Sequence, residues 1–124
     1  GVDEVDKGQY NNIEATDFIT GCLICFNKNV VENVGWWDEN YFLYYEDADF
    51  SQRVNNVGYT IVYEPNAKLW HMNAESTGGS GSDLQDYFIS RNRMLFGMRY
   101  APLRTKVALV RESLSLLRTG RKWT

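Results

Sequence analysis

The sequence predicts a mixed α/β fold of short strands with helices, closing in two C-terminal helices. Two β-rich runs, "TDFITGCLICFN" and "YTIVYE", stand among segments whose apolar residues recur at helical spacing. From Ser82 onward that helical spacing is sustained almost to the chain end. A length of 124 residues with 44% hydrophobic and 15% aromatic content gives room for one domain with a modest core.

The elements follow in order. Gly1 to Ala15 is polar and reads as loop. The apolar run from Thr16 to Asn27 reads as a strand mostly buried on both faces. Asn27 is placed to cap a short helix "KNVVENV", which Gly35 ends. "GWWDENYFLYY" is aromatic and aperiodic. From Asp47, Phe50, Val54 and Val57 fall at i, i+4 and i+7, so a helix starts at the acids and stops at Gly58. "YTIVYE" and "AKLWHM" read as strands flanking a Pro65-Asn66 turn, and "NAESTGGSGS" as a flexible loop. Leu84, Tyr87, Phe88, Arg91, Leu95 and Met98 then form a helical stripe capped by Ser82 or Asp83. After Pro102 a second stripe, Leu103, Val107, Val110, Leu114 and Leu117, is surrounded by Arg104, Lys106, Arg111 and Arg118. That pattern is a basic amphipathic helix.

The net charge of -3 conceals a division. Gly1 to Ser90 holds 15 acids against 4 Lys/Arg, whereas Arg91 to Thr124 holds 9 Lys/Arg against Glu112 alone. A basic end of this kind fits a phosphate, nucleic-acid or membrane partner, or a solvated face paired with acidic protein. No apolar run approaches the roughly 18 residues that span a bilayer, and the polar, acidic start does not read as a secretory signal. Cys22 and Cys25 have the spacing of a redox or zinc motif but lie in an apolar run without a second pair, so they are expected to be buried free thiols in a reducing compartment.

Three carboxylates, Glu46, Asp47 and Asp49, sit directly behind the aromatic run. At a helix N-terminus, acids satisfy orphan N–H groups and the dipole, which accounts for one or two of them without any chemistry. A carboxylate walled by aromatic residues is also a candidate general base for a substrate hydroxyl. His71, the one histidine, ends a strand-like run before the glycine-rich loop; a packed or surface role and a metal-ligand role both fit it.

Together, the run from Thr16 to His71, "STGG" and "YFISRNRMLF" resembles the C-terminal, acceptor-side half of a family 2 glycosyltransferase of the GT-A (Rossmann-like) fold, in the bacterial rhamnosyltransferase-like branch that builds surface polysaccharides. The resemblance covers about Asp6 to about Pro102 and rests on the ordered set "GxxDExxFxYxEDxDxxxR", a strand ending in His, and "RN" on a helix. It implies that Asp47 is the catalytic base and Glu46 its neighbour in acceptor positioning. It further implies that Gly21, Asp38, Glu39, Arg91 and Asn92 lie at the substrates, and that His71 helps to bind a divalent Mg or Mn beside the donor diphosphate. Residues 1–102 are then the acceptor-side, base-bearing half, and 103–124 the basic helix.

The expected donor is a nucleotide sugar and the expected acceptor a glycan or lipid-linked glycan, with no nucleic-acid partner. Such enzymes carry a strand-ending Asp-x-Asp in an N-terminal half; here "DAD" at Asp47 to Asp49 opens a helix instead. The chain is therefore expected to be part of an inverting transferase, inactive alone, cytoplasmic or peripheral at the inner face of an anionic membrane. Its C-terminal helix is expected either to pack on its own domain or to lie on that membrane. A non-catalytic glycan- or protein-binding module on the same half-fold is the first alternative. A hydrolase is the second, disfavoured because adjacent Glu46 and Asp47 cannot straddle a glycosidic bond at a separation of roughly 5 to 9.5 Å.

Overall fold

The computed structural model of the chain describes residues 4–71 and 81–119. They fall into two compact units, one of residues 4–37 and 47–71 and the other of 38–46 and 81–119. Among the described residues there are two short strands and four helices: β1 Glu14–Thr16, α1 Lys28–Val34, α2 Glu46–Asn56, β2 Ile61–Tyr63, α3 Asp83–Tyr100 and α4 Leu103–Thr119. The mixed helix and short-strand composition agrees with the sequence expectation.

In the first unit β1 pairs antiparallel with β2, Ala15 opposite Val62. Asn27 caps α1 by accepting from the Asn29 N–H at 3.0 Å, and Gly35 leaves the helix at φ +78°, a conformation that glycine adopts without a Cβ penalty. The core is Phe50, Val54 and Ile61, with Ile19, Phe26, Val30, Val34, Trp37 and Tyr59 packed around it. Trp37 meets Phe50 edge-on with centroids 4.3 Å apart.

Polar groups tie α2 to its surroundings. Arg53 pairs with Asp49, one turn earlier, at 2.7 Å, and Asp49 is fully buried. The same guanidinium donates to the carbonyls of Val34, Gly35 and Trp36, which lie at or just beyond the end of α1. One arginine therefore neutralises a buried acid and satisfies carbonyls that the helix end leaves open. Ser51 Oγ donates to the Asp47 carbonyl and accepts from the Ile19 N–H, at 2.7 and 3.1 Å.

Several expectations for this unit change. Residues 17–27 form no strand, and Phe18 and Leu23 are exposed. Among the described residues the sheet has two strands, of three residues each, and neither pairs with this segment; Ile19 and Phe26 still reach the core, whereas Phe18 and Leu23 do not. Cys22 and Cys25 are free, as expected, but exposed, because the run that would have buried them is irregular. Residues 67–71 likewise pair with no strand, and Trp70 is 93% exposed. The Pro65-Asn66 turn is present, closed by the Ala67 N–H to the Glu64 carbonyl. The glycine-rich loop lies almost wholly outside the described residues.

The second unit is built on α3 and α4. Ser82 caps α3 through the Gln85 N–H, and α4 begins directly after Pro102, whose fixed φ suits the entry to a helix. The helices meet where α3 has no side chain: a Cβ on Gly97 would lie 2.3 Å from Leu109 Cδ1, so any larger residue there would force the Leu109 side chain to move. Ser113 to Met94 Sδ and Arg93 to Glu112, each at 3.4 Å, flank that contact. The helical stripe read from the sequence is not the buried face of α3. Asn92 and Gly97 are buried, whereas Leu84, Tyr87 and Met98 are exposed, because the turn preceding α2 and helix α4 both pack on the Asn92 and Gly97 side.

Removing one partner of a buried ion pair costs more than the pair contributes, since the other charge stays buried. Arg53→Gln is therefore expected to destabilise the chain by about 3 kcal/mol or more in urea unfolding. A loss below about 0.5 kcal/mol, the range of ordinary surface substitutions, would contradict this role.

Candidate active site

The approach to the acids is a strained turn. Between Asp38 and Glu46 the chain passes through three non-glycine residues at positive φ: Phe42 at 59°, Tyr44 at 65° and Tyr45 at 71°. For aromatic residues this region costs on the order of 1–3 kcal/mol each and persists only where other contacts fix it. Asn92 supplies those contacts. It is fully buried, and its amide nitrogen donates to the carbonyls of Tyr41, Leu43 and Tyr44 at 2.7 to 2.8 Å. Arg91 Nη1 donates at 2.7 Å both to the Asn92 amide oxygen and to the Asn40 carbonyl. Adjacent residues of α3 thus hold one carbonyl after another of the turn.

The turn's other end is anchored by Asp38. Its Oδ1 accepts from the Asn40 N–H at 3.0 Å, and its Oδ2 from Arg99 Nη1 at 2.7 Å. The Arg99 hydrogen bond, reinforced by the Asn40 N–H, holds the Asp38 carboxyl below the usual carboxylate range. Arg99 also lies 5.7 Å from the centroid of the buried Tyr41 ring. Glu39 is exposed, and its carbonyl accepts from the Phe42 N–H.

In the first unit, Gly21 and Asp47 meet. The Gly21 N–H donates to Asp47 Oδ2 at 3.0 Å, and the Ala48 N–H to Oδ1 at 2.8 Å. Asp47 is half-buried, in the first turn of α2. Glu46, the preceding residue, is half-buried as well. His71 is exposed. Among the described residues, no three His, Cys, Asp or Glu side chains gather into a group able to hold a metal ion. The residues described here do not by themselves make up a divalent-metal site.

Sequence reasoning singled out Asp38, Arg91, Asn92 and the acids, but not the partners that give them their geometry. Asp49 and Arg53 are four apart on a predicted helix, a spacing that signals a pair. The link from Asp38 to Arg99 spans 61 residues, and no local pattern announces it.

The family model described as Glycosyl transferase family group 2 matches residues 4–123. The chain belongs to that family. Among curated relatives, this family 2 chain is 36% identical over 61 residues to the N-acetylglucosaminyl-diphospho-decaprenol L-rhamnosyltransferase of Mycobacterium tuberculosis, covering 49% of this chain and 20% of that protein. It is 37% identical over 65 residues to the poly-beta-1,6-N-acetyl-D-glucosamine synthase of Staphylococcus aureus, covering 52% of this chain and 15% of that one. The matched stretch thus spans a fifth or less of either relative's own length. No solved structure gives a significant match.

Because the Asn92 amide serves three carbonyls, Asn92→Asp keeps the volume but removes the donor and sets a carboxylate against them. It is expected to cost about 2–4 kcal/mol of stability, more than one neutral hydrogen bond contributes. Urea unfolding of the two chains measures it, and an unchanged midpoint would show that the turn is held by something else.

Proposed function

We propose that this chain is the acceptor-side half of a GT-A, inverting glycosyltransferase in which Asp47 takes the proton from the acceptor hydroxyl. The observation that carries the reading is the fixed Asp47 carboxylate, with its two oxygens held by separate backbone N–H groups at a helix start. A base oriented in this way needs little reorganisation when a hydroxyl arrives. The other two acids near it in the sequence with defined partners, Asp38 and Asp49, each bind an arginine and serve the fold.

In the proposed reaction the acceptor O–H bond gives its proton to an Asp47 oxygen as the acceptor oxygen attacks the anomeric carbon of a nucleotide sugar. The bond to the diphosphate breaks with its electron pair leaving on the nucleoside diphosphate, and configuration inverts. Glu46 orients acceptor or base. Asn92 and Arg91 act as positioning residues through the turn that leads into Glu46, and Gly21 through its N–H. Asp38 and Glu39 complete the acceptor side. His71 is this chain's contribution to a divalent-metal site whose remaining ligands come from the rest of the parent, as does the donor pocket.

The relatives' names, one a transferase acting on a diphospho-decaprenol and the other a polysaccharide synthase, support a lipid-linked or glycan acceptor in bacterial polysaccharide synthesis. In this reading residues 1–102 are the base-bearing half and 103–124 an appended basic helix.

In the complete parent, Asp47→Asn is expected to lower kcat by about 10²-fold to 10⁴-fold while donor affinity stays near normal. Near-normal kcat in that variant would leave Asp47 as a helix-terminus residue and place the base elsewhere. Donor affinity is read separately by titration, so a folding defect would not pass for lost chemistry.

A further inference from the structure

Helix α4 is two-sided in an unusual sense, because its most apolar side is not the one packed on α3. Leu109 is buried and Lys106, Ser113 and Leu116 are half-buried, so this side faces the Gly97 contact. Leu103, Val107, Val110, Leu114 and Leu117 follow one another in alternating steps of four and three residues along a different side. They remain 77%, 42%, 41%, 53% and 82% exposed. Arg104, Arg111 and Arg118 recur every seven residues, close to two helical turns, and so form a row along one edge of that stripe. All three are exposed. The one acid of α4, Glu112, is turned to Arg93 of α3.

We propose that this face of α4 docks on an anionic lipid surface, the leucine and valine stripe entering the headgroup boundary while the arginine row binds lipid phosphates. The stripe is apolar and uninterrupted, its flank is cationic without an intervening acid, and arginine stems can lie along the apolar surface while their heads reach phosphate. The charge complementarity selects lipid over a second copy of the chain: two such faces brought together would set arginine row near Lys106 and arginine row, like against like. Five seam positions over 17 residues also fall short of the three to four heptads that sustain a coiled coil. No helix among the described residues is long and apolar enough to cross a membrane, so α4 lies in the interface rather than through it.

Co-sedimentation of the 124-residue chain with phosphatidylcholine vesicles, with or without phosphatidylglycerol, tests this. The chain is expected to bind the phosphatidylglycerol vesicles at low salt and to leave them near 1 M salt, where the screening length falls to about 3 Å. Changing Arg104, Arg111 and Arg118 together to Gln is expected to weaken binding on the order of 100-fold. Leu114→Gln with Leu117→Gln is expected to abolish it at unchanged charge. All five side chains are exposed, so far-ultraviolet circular dichroism should be preserved in both variants. Absence of binding at low salt, equal binding to neutral vesicles, or a triple Gln variant that binds like the parent sequence would each overturn the proposal. Vesicle binding requires no turnover, so its failure would leave the assignment of Asp47 untouched, and Asp47→Asn should bind as the unaltered chain does.

Discussion

The turn from Tyr41 to Tyr45 is the constraint on which the candidate residues of the second unit depend. Its three aromatic residues at positive φ store strain that a chain of ordinary contacts would release. A single buried amide, that of Asn92, prevents this by serving three carbonyls, while Arg91 and the Asp38 to Arg99 pair fix the preceding residues. The residues that follow without a break are Glu46 and Asp47. Glu46 closes the second unit's share of this stretch, and Asp47 opens the first unit's, where the Gly21 N–H holds it.

The cluster of three acids separates into distinct physical tasks. Asp49 is buried and bound to Arg53, whose remaining donors cap the end of α1, so this acid belongs to the framework. Asp47 is held by backbone N–H groups instead of by a cation, an arrangement that fixes its direction without tying it to a counter-charge. Asp38, outside the cluster, shows the opposite choice: its arginine and the Asn40 N–H keep it firmly ionised, which suits an anchor and not a proton acceptor. The family match extends over both kinds of residue, so motif membership alone does not tell chemistry from scaffolding.

Local signals were read well from the sequence. The Asn27 cap, the Gly35 stop, the Ser82 cap and the restart after Pro102 are each decided by a residue and its near neighbours, and each stands in the structure. The Thr16 to Asn27 and "AKLWHM" segments failed because β-propensity describes a residue's fitness for a sheet without supplying a partner strand. The stripes of α3 and α4 were legible as stripes, yet helical period does not say which neighbour covers them. Glycine at position 97 and asparagine at 92, neither a hydrophobic signal, mark the sides that pack. The site was legible as a list of residues through family resemblance, whereas its geometry rests on pairings of 26 to 61 residues' separation that no local pattern encodes.

The most direct test of the account is a structure of the complete parent enzyme with its acceptor bound. The account predicts the reacting hydroxyl within about 2.6 to 3.2 Å of an Asp47 oxygen, with the Asn92 amide still on the turn carbonyls. An acceptor hydroxyl seated on another carboxylate, with Asp47 facing away from it, would contradict the assignment of the base.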